Sequence, residues 1–298
     1  MARGLRARLL PEPARPAAGA LRIGLISVPA PDSRADLSLD SLLEVALLAA
    51  AETGRMLGTD RVADLGVGTK STPTDVVTVM DTRAERLLVE LITSARPDDA
   101  FLGEEGADSA GTTGVRWVLD PIDGTVNYLY DLPGWAVSVA AEVDGVMSVG
   151  VVVVPSAGET FAAVLGRGAT RGGRPIRVSG ADELAQSLVA TGFGYDSGRR
   201  TRQGQIVAQI LPRVRDIRRY GAASVDLCSV ACGRVDAYYE RGLAPWDLAA
   251  GGLIAAEAGA TVAGLHGRAA SGDLVVAAGP GVFAQLHDLL APLQPDRD

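Results

Sequence analysis

Between Ser38 and Leu57 the apolar residues fall at Leu39, Leu42, Leu43, Ala46, Leu47 and Ala50, a spacing that builds one face of an α-helix, and Gly58 ends it. A second helix is predicted from Thr74 to Ala95, with Thr74 as N-cap and Pro97 beyond its end. The link Val62 to Pro73 is rich in Gly, Ser and Thr. Ala100-Phe101-Leu102-Gly103 reads as a short strand running into a loop at Glu104-Glu105-Gly106, and Val115 to Leu119 as a strand ending at Asp120. The clearest hairpin joins Trp135–Val143 to Val146–Val154 through Asp144-Gly145, a two-residue turn between apolar runs. Strand and turn continue to about Val178. Beyond it, Ser187–Gly192, Val235–Glu240 and Leu274–Ala278 read as strands, and Arg199–Val214, Ala222–Gly233, Trp246–Gly259 and Val282–Leu290 as helices.

No repeat is present. The order of elements predicts α+β followed by α/β, packed in layers. It divides the chain into an N-terminal half over residues 37–178 and a C-terminal half over 179–298. Residues 1–36 are rich in Arg, Pro and Ala and read as a disordered extension. Arg22 interrupts the only apolar patch there, which fits a signal peptide poorly.

Composition narrows the function classes. The 298 residues are 47% hydrophobic and only 4% aromatic, so Ala, Val and Leu carry the packing. The net charge of −8 argues against a basic nucleic-acid or membrane-binding face. It is compatible with a phosphate ligand, because a bound metal supplies positive charge locally. The longest apolar run, Val146–Val154, is about half the ~20 residues of a membrane-spanning helix. A soluble, cytoplasmic protein is therefore expected. Cys228 and Cys232 read as small core residues on one helix face rather than a disulfide framework, and without a His/Cys cluster zinc has little support. Lys70 is the single lysine.

The candidate chemistry lies in carboxylates at strand ends. Asp120 and Asp123 flank Pro121-Ile122, and a carboxylate closing an apolar strand is costly unless something pairs with it. Both side chains and the Ile122 carbonyl could face one point, offering the oxygen ligands that Mg²⁺ takes together with substrate phosphate. Gly124 and Thr125 follow with backbone N–H groups that suit a phosphate. Glu104-Glu105 and Asp247 could complete the cluster. Each has a structural alternative: a capped turn for Asp120–Asp123, a solvated loop for Glu104-Glu105, a helix cap for Asp247. Spacing alone does not choose between them.

Three segments together do more. Gly103-Glu104-Glu105, then Trp117-Val118-Leu119-Asp120-Pro121-Ile122-Asp123-Gly124-Thr125-Val126-Asn127-Tyr128, then Trp246-Asp247-Leu248-Ala249-Ala250-Gly251-Gly252 with Glu257-Ala258-Gly259 resemble the inositol monophosphatase family in its bacterial branch, over about Leu39 to Ala291. The resemblance implies a layered αβαβα sandwich, a homodimer, and two or three Mg²⁺ ions. Glu104, Asp120 and the Ile122 carbonyl would hold one ion. Asp120, Asp123 and Asp247 would hold another, and a third would lean on Glu104. Asp81 would pair with Thr125, and these two with Glu104 would form the catalytic set. Asp123, Gly124, Thr125, Ala223, Glu240 and Asp247 would contact substrate, with Lys70 nearby and Asp75 in the same early region. Where the family often has Thr, this chain has Ala222, which puts one hydroxyl contact in doubt.

The resulting expectation is an enzyme, a phosphoric monoester hydrolase converting myo-inositol 1-phosphate to myo-inositol and phosphate by metal-activated water in direct in-line attack, sensitive to lithium. Within the same fold, histidinol phosphate, fructose-1,6-bisphosphate or an adenosine bisphosphate are alternative substrates. A non-enzymatic regulatory partner retaining the fold is the alternative of another class.

Overall fold

Alternation along the strands decides how this chain is layered. The computed structural model describes residues 38–62 and 65–297, so the expected extension over residues 1–36 lies outside the described residues. Helix α1 (Leu39–Thr59) starts at Ser38, whose hydroxyl accepts from the Ser41 N–H. A two-stranded antiparallel ribbon follows, β1 (Gly68–Thr69) on β2 (Val76–Val77), and then α2 (Val79–Ala95).

Helix α2 thus begins later than predicted: Thr78, not Thr74, is its N-cap. The reason is local. The β-branched pair Val76-Val77 joins β1, and Asp81 stands at the third helical position, where its carboxylate returns a bond to the Thr78 N–H and completes a capping box. Thr74 instead donates its hydroxyl to the Tyr195 carbonyl at 3.1 Å.

The larger sheet contains β3 (Ala100–Gly103), β4 (Asp108–Ser109), β5 (Val115–Asp123) and, after the short helix α3 (Thr125–Leu129), β6 (Ala136–Val143), β7 (Val146–Val154), β8 (Glu159–Val164), β9 (Ala169–Arg171) and β10 (Arg174–Pro175). Its order is β10-β9-β8-β7-β6-β5-β3-β4, antiparallel except for β3 beside β5. The predicted β6–β7 hairpin turns at Asp144 and Gly145, with φ of 49° and 82°, the left-handed pair that a twisted two-residue hairpin needs. The smaller sheet is built from β11 (Leu188–Thr191), β12 (Asp216–Arg218), β13 (Ala237–Glu240), β14 (Thr261–Ala263) and β15 (Val275–Ala278), in the order β12-β11-β13-β15-β14. Its strands alternate with α4 (Ser197–Ile210), α5 (Ala223–Ala231), α6 (Pro245–Glu257) and the closing α7 (Pro280–Leu290).

Successive residues of each strand face opposite layers. Trp117, Leu119, Val137, Val139, Val149 and Val151 pack against α1 and α2. Their neighbours Val118, Ala136, Ala140 and Val152 face α5 and α6, as do Ala190, Tyr238, Val275 and Ala277 of the smaller sheet. The opposite face of that sheet, Val189, Ala237, Val276 and Ala278, packs on α4 and α7. Five layers result: helices, sheet, helices, sheet, helices, the αβαβα sandwich that the resemblance implied. Among the described residues no helix is long and apolar enough to cross a membrane. Cys228 is buried, Cys232 half-buried, and both are free thiols.

The central helix layer lies close to the larger sheet. A Cβ added to Gly150 would stand 2.9 Å from the Ala250 carbonyl oxygen and 3.0 Å from its Cα. Gly150→Ala must therefore push β7 and α6 apart. The expected cost is ~1–3 kcal/mol, read from chemical denaturation; a loss below ~0.5 kcal/mol would show that this contact does not hold α6 in place.

Candidate active site

Strand β5 carries the first part of the site. In a regular strand, residues three apart point to opposite faces. Asp120 and Asp123 do not, because the pairing with β6 shifts between them: Asp120 is opposite Ser138, and Asp123 is opposite Ala136. One extra residue enters β5, and a bulge of this kind re-aims side chains. Pro121, with no N–H to contribute to the ladder, is tolerated at such a place. Gly124 follows in the left-handed region, φ 88° and ψ 41°, and starts the turn into α3.

Asp123 then reaches α5. Its Oδ1 accepts from the Ala223 N–H at 3.2 Å, and its Oδ2 from the Ser224 N–H and hydroxyl at 2.6 and 2.5 Å. It caps a helix whose own N-cap residue, Ala222, has no side chain able to do so. Asp247 stands in the first turn of α6, and its Oδ2 accepts from the Ala244 N–H at 2.7 Å. Asp120, 1% exposed, accepts from the Ile122 N–H at 3.1 Å.

Carboxylate oxygens of Asp120, Asp123 and Asp247 all lie within 4.8 Å of one another. Burial raises all three pKa values, and the nearby carboxylates raise Asp120 and Asp247 further. Hydrogen bonds from Ser224 and Ala223, and the charge of Arg219, counter this at Asp123. A hard divalent cation fits such a donor set: its charge would offset the crowding, and its preferred ligands are the oxygens present. Glu104 is adjacent but outside this trio. Lys70 holds its Oε1 at 2.7 Å and also pairs with Glu105. Burial would lower the Lys70 pKa, but the two carboxylates outweigh it and raise the pKa above the ordinary lysine value.

The remaining predicted residues are also accounted for. Asp81, fully buried, accepts from the Thr78 N–H and hydroxyl through Oδ2 and from the Thr125 hydroxyl at 3.1 Å through Oδ1. The same Thr125 hydroxyl lies 3.1 Å from the Ile122 carbonyl. Burial pushes Asp81 up to about 6, against the bonds from Thr78. Burial also pushes Glu240 up to about 7, although Tyr238 donates to its Oε2 at 2.7 Å and Arg219 lowers it. Lys70, Asp75, Glu104, Asp120, Ile122, Asp123, Gly124, Thr125, Ala223, Glu240 and Asp247 line one cavity of about 600 Å³. Asp81 stands behind its wall. Ala223 contributes surface only, because its N–H is committed to Asp123. Asp75 lies in the turn before β2, bonded to the Ser71 N–H and hydroxyl, and not on a helix.

Three further residues were not anticipated. Glu85 accepts from the Glu105 and Ala107 N–H groups at 2.8 and 2.9 Å and so holds the Glu104 loop. It lies one turn after Asp81 on the buried face of α2, a signal present in the sequence. Gly103 must be glycine beside it, since a Cβ there would stand 2.2 Å from Glu85 Oε2. Ser224 donates twice to Asp123. Arg219 lines the cavity from a segment with no periodic signal.

The model of the inositol monophosphatase family matches residues 38–297. The inositol-1-monophosphatase SuhB of Mycobacterium tuberculosis is 46% identical over 263 residues, 84% of this chain and 90% of that protein. The Nus factor SuhB of Pasteurella multocida is 38% identical over 87% of this chain and 98% of its own. The crystal structure of the extragenic suppressor protein suhB from Bartonella henselae matches with a TM-score of 0.80 at 34% identity, covering 84% of this chain and 98% of that one. The chain belongs to the inositol monophosphatase family.

The crowding predicts a pH signature. A carboxyl whose pKa is raised on folding binds its proton more tightly in the folded state, so its penalty is absent below the unfolded value. The penalty grows as pH rises from that value through the folded one. With chelator present, Asp120→Asn should therefore be more stable than wild type by ~1–3 kcal/mol near pH 8, with the gap shrinking toward pH 4. Equal stability at pH 8, or a gap that widens on acidification, contradicts the electrostatic account.

Proposed function

We propose that this phosphoric monoester hydrolase acts on small polyol phosphates, with myo-inositol 1-phosphate as the representative substrate, in a Mg²⁺-dependent reaction. The observation that carries the proposal is the one cavity shared by the Asp120–Asp123–Asp247 trio and the Glu240 carboxylate. The names of relatives support the substrate class.

Glu104, Asp120, the Ile122 carbonyl, Asp123 and Asp247 would hold two or three ions. When bound, these ions supply positive charge to the phosphoryl oxygens and acidify water. The chain's own groups do the rest. The Thr125 hydroxyl gives its one proton to Asp81 or to the Ile122 carbonyl, so its lone pairs face outward as acceptors. A water donating to Thr125 and Glu104 is thereby aimed at phosphorus. Asp81 serves best as an anion, above about pH 6. The Gly124 and Thr125 N–H groups would meet a phosphoryl oxygen. Glu240 Oε2 is occupied by Tyr238, leaving Oε1 for hydroxyls of the departing alcohol. Among the described residues that line the cavity there is no cysteine or histidine, and direct in-line attack by water is the route proposed. A homodimer belongs to the same proposal.

A second reading has one observation in its favour: the Pasteurella relative is called a Nus factor. A role in binding transcription machinery would be an addition, since the carboxylate set is intact.

Phosphate release over a panel of monoesters, with and without Mg²⁺, tests the main reading; no turnover of any ester would sink it. Asp120→Asn should lower kcat at least ~100-fold. Glu240→Ala should raise KM for inositol 1-phosphate about tenfold while sparing p-nitrophenyl phosphate. Equal losses on both esters would count against Glu240 as the hydroxyl contact.

A further inference from the structure

The arginines of the cavity have no part in this scheme. Strand β11 runs parallel to both β12 and β13, and the pairing sets Ala190 level with Arg218 on one side and Tyr238 on the other. Arg219, Gly192 and Glu240 therefore come together at the carboxyl ends of adjacent parallel strands, the edge of a sheet where ligands collect. All three line the cavity. The Arg219 segment is pinned from β5's side of the site: the Asn127 amide donates to the Tyr220 carbonyl at 2.8 Å and to the Gly134 carbonyl at 2.9 Å. Gly221, with φ of 91°, lies under the arginine, and a Cβ there would collide with Arg219 Nη1. Among the described residues the Arg219 guanidinium makes no hydrogen bond and no ion pair. Lys70, by contrast, is committed to Glu104 and Glu105. Arg199 of α4 also lines the cavity, seated on two glycines. A Cβ on Gly194 would stand 2.9 Å from its Cδ, and one on Gly242 would stand 2.8 Å from its Nη1.

We propose that Arg219, assisted by Arg199, forms a subsite for a second anionic group, a phosphate borne by the alcohol that leaves. The inference rests on the functional reading above and narrows it: the preferred esters are polyols carrying two phosphates, one cleaved at the carboxylate trio and the other held by arginine. The case is a division of charge. The phosphoryl group under attack has the ions and the Gly124 and Thr125 N–H groups. Neutral hydroxyls have Glu240. A polyol monophosphate brings nothing further for a cation to meet. A guanidinium keeps its charge, and its planar fork of donors matches phosphate oxygens in pairs. The strand ends and the glycine seats place that fork beside Glu240, on the alcohol's side of the site. Arg219 is exposed, so salt screens its attraction.

The test compares kcat/KM on matched esters, using the full chain with Mg²⁺. The pairs are myo-inositol 1,4-bisphosphate against myo-inositol 1-phosphate, and fructose 1,6-bisphosphate against fructose 1-phosphate. In wild type at least one bisphosphate should be preferred about tenfold over its monophosphate. Arg219→Gln should bring that ratio to about one, Arg219→Lys should keep part of it, and about 1 M salt should shrink it in wild type. A wild type that prefers neither bisphosphate overturns the proposal. So does a ratio that survives in Arg219→Gln, or one that high salt leaves unchanged. If wild type turns over no ester at all, the functional reading falls, and calorimetric titration with fructose 1,6-bisphosphate and fructose 1-phosphate decides the subsite by itself. Tighter binding of the bisphosphate, abolished in Arg219→Gln, upholds it; equal binding of the two overturns it.

Discussion

Carboxylates held out of water and close together are the constraint on which this structure turns. Asp120, Asp123 and Asp247 repel one another, and burial penalises each charge. Nothing in the packing of an αβαβα sandwich requires acids there. Their cost is met by donors from elements far apart in sequence, Ser224 on Asp123 and the Lys70 ammonium on Glu104, and by the local Ala244 N–H on Asp247. Glu85 adds a further layer by fixing the loop that carries Glu104. A local rule broken at such expense, with a compensating shell around it, is what a functional site looks like physically.

Strand β5 shows why part of this was legible and part was not. The Asp-Pro-Ile-Asp-Gly-Thr string was readable as a motif, but its geometry was not, since strict alternation would have sent its two acids to opposite faces. The bulge that unites them depends on the β6 partner, which single-chain periodicity does not see. The same limit explains Thr74. It had the chemistry of a helix cap, yet a pairing with β1 extended the strand past it. By contrast, the Asp144-Gly145 hairpin and the long helix α1 are legible in the sequence because their signals are local. The edge strands β12 and β14, three residues each, offered no period to read. Arg219 is visible only once Gly221 and α5 bring it to the cavity.

The residues left open by spacing alone resolve in an instructive way. Asp247 had two readings, helix cap or ligand, and Asp123 had the reading of a capped turn. Asp81, Asp123 and Asp247 each place one carboxylate oxygen on the first amides of a helix: α2, α5 and α6 in turn. Capping and the proposed chemistry are therefore not rivals. Helix N-termini carry partial positive charge, and those of α5 and α6, whose first residues line the cavity, lower the cost of gathering anions there. Each acid is fixed by the amide it caps; the other oxygen of Asp247 remains for the cavity, that of Asp81 takes Thr125, and that of Asp123 takes a second amide of the same helix, Ala223. The caps give the site its rigidity, and the same three helices carry the layers of the fold. Moving any one of these carboxylates would disturb a helix start as well as the cavity, which ties the architecture of the sandwich to the position of its chemistry.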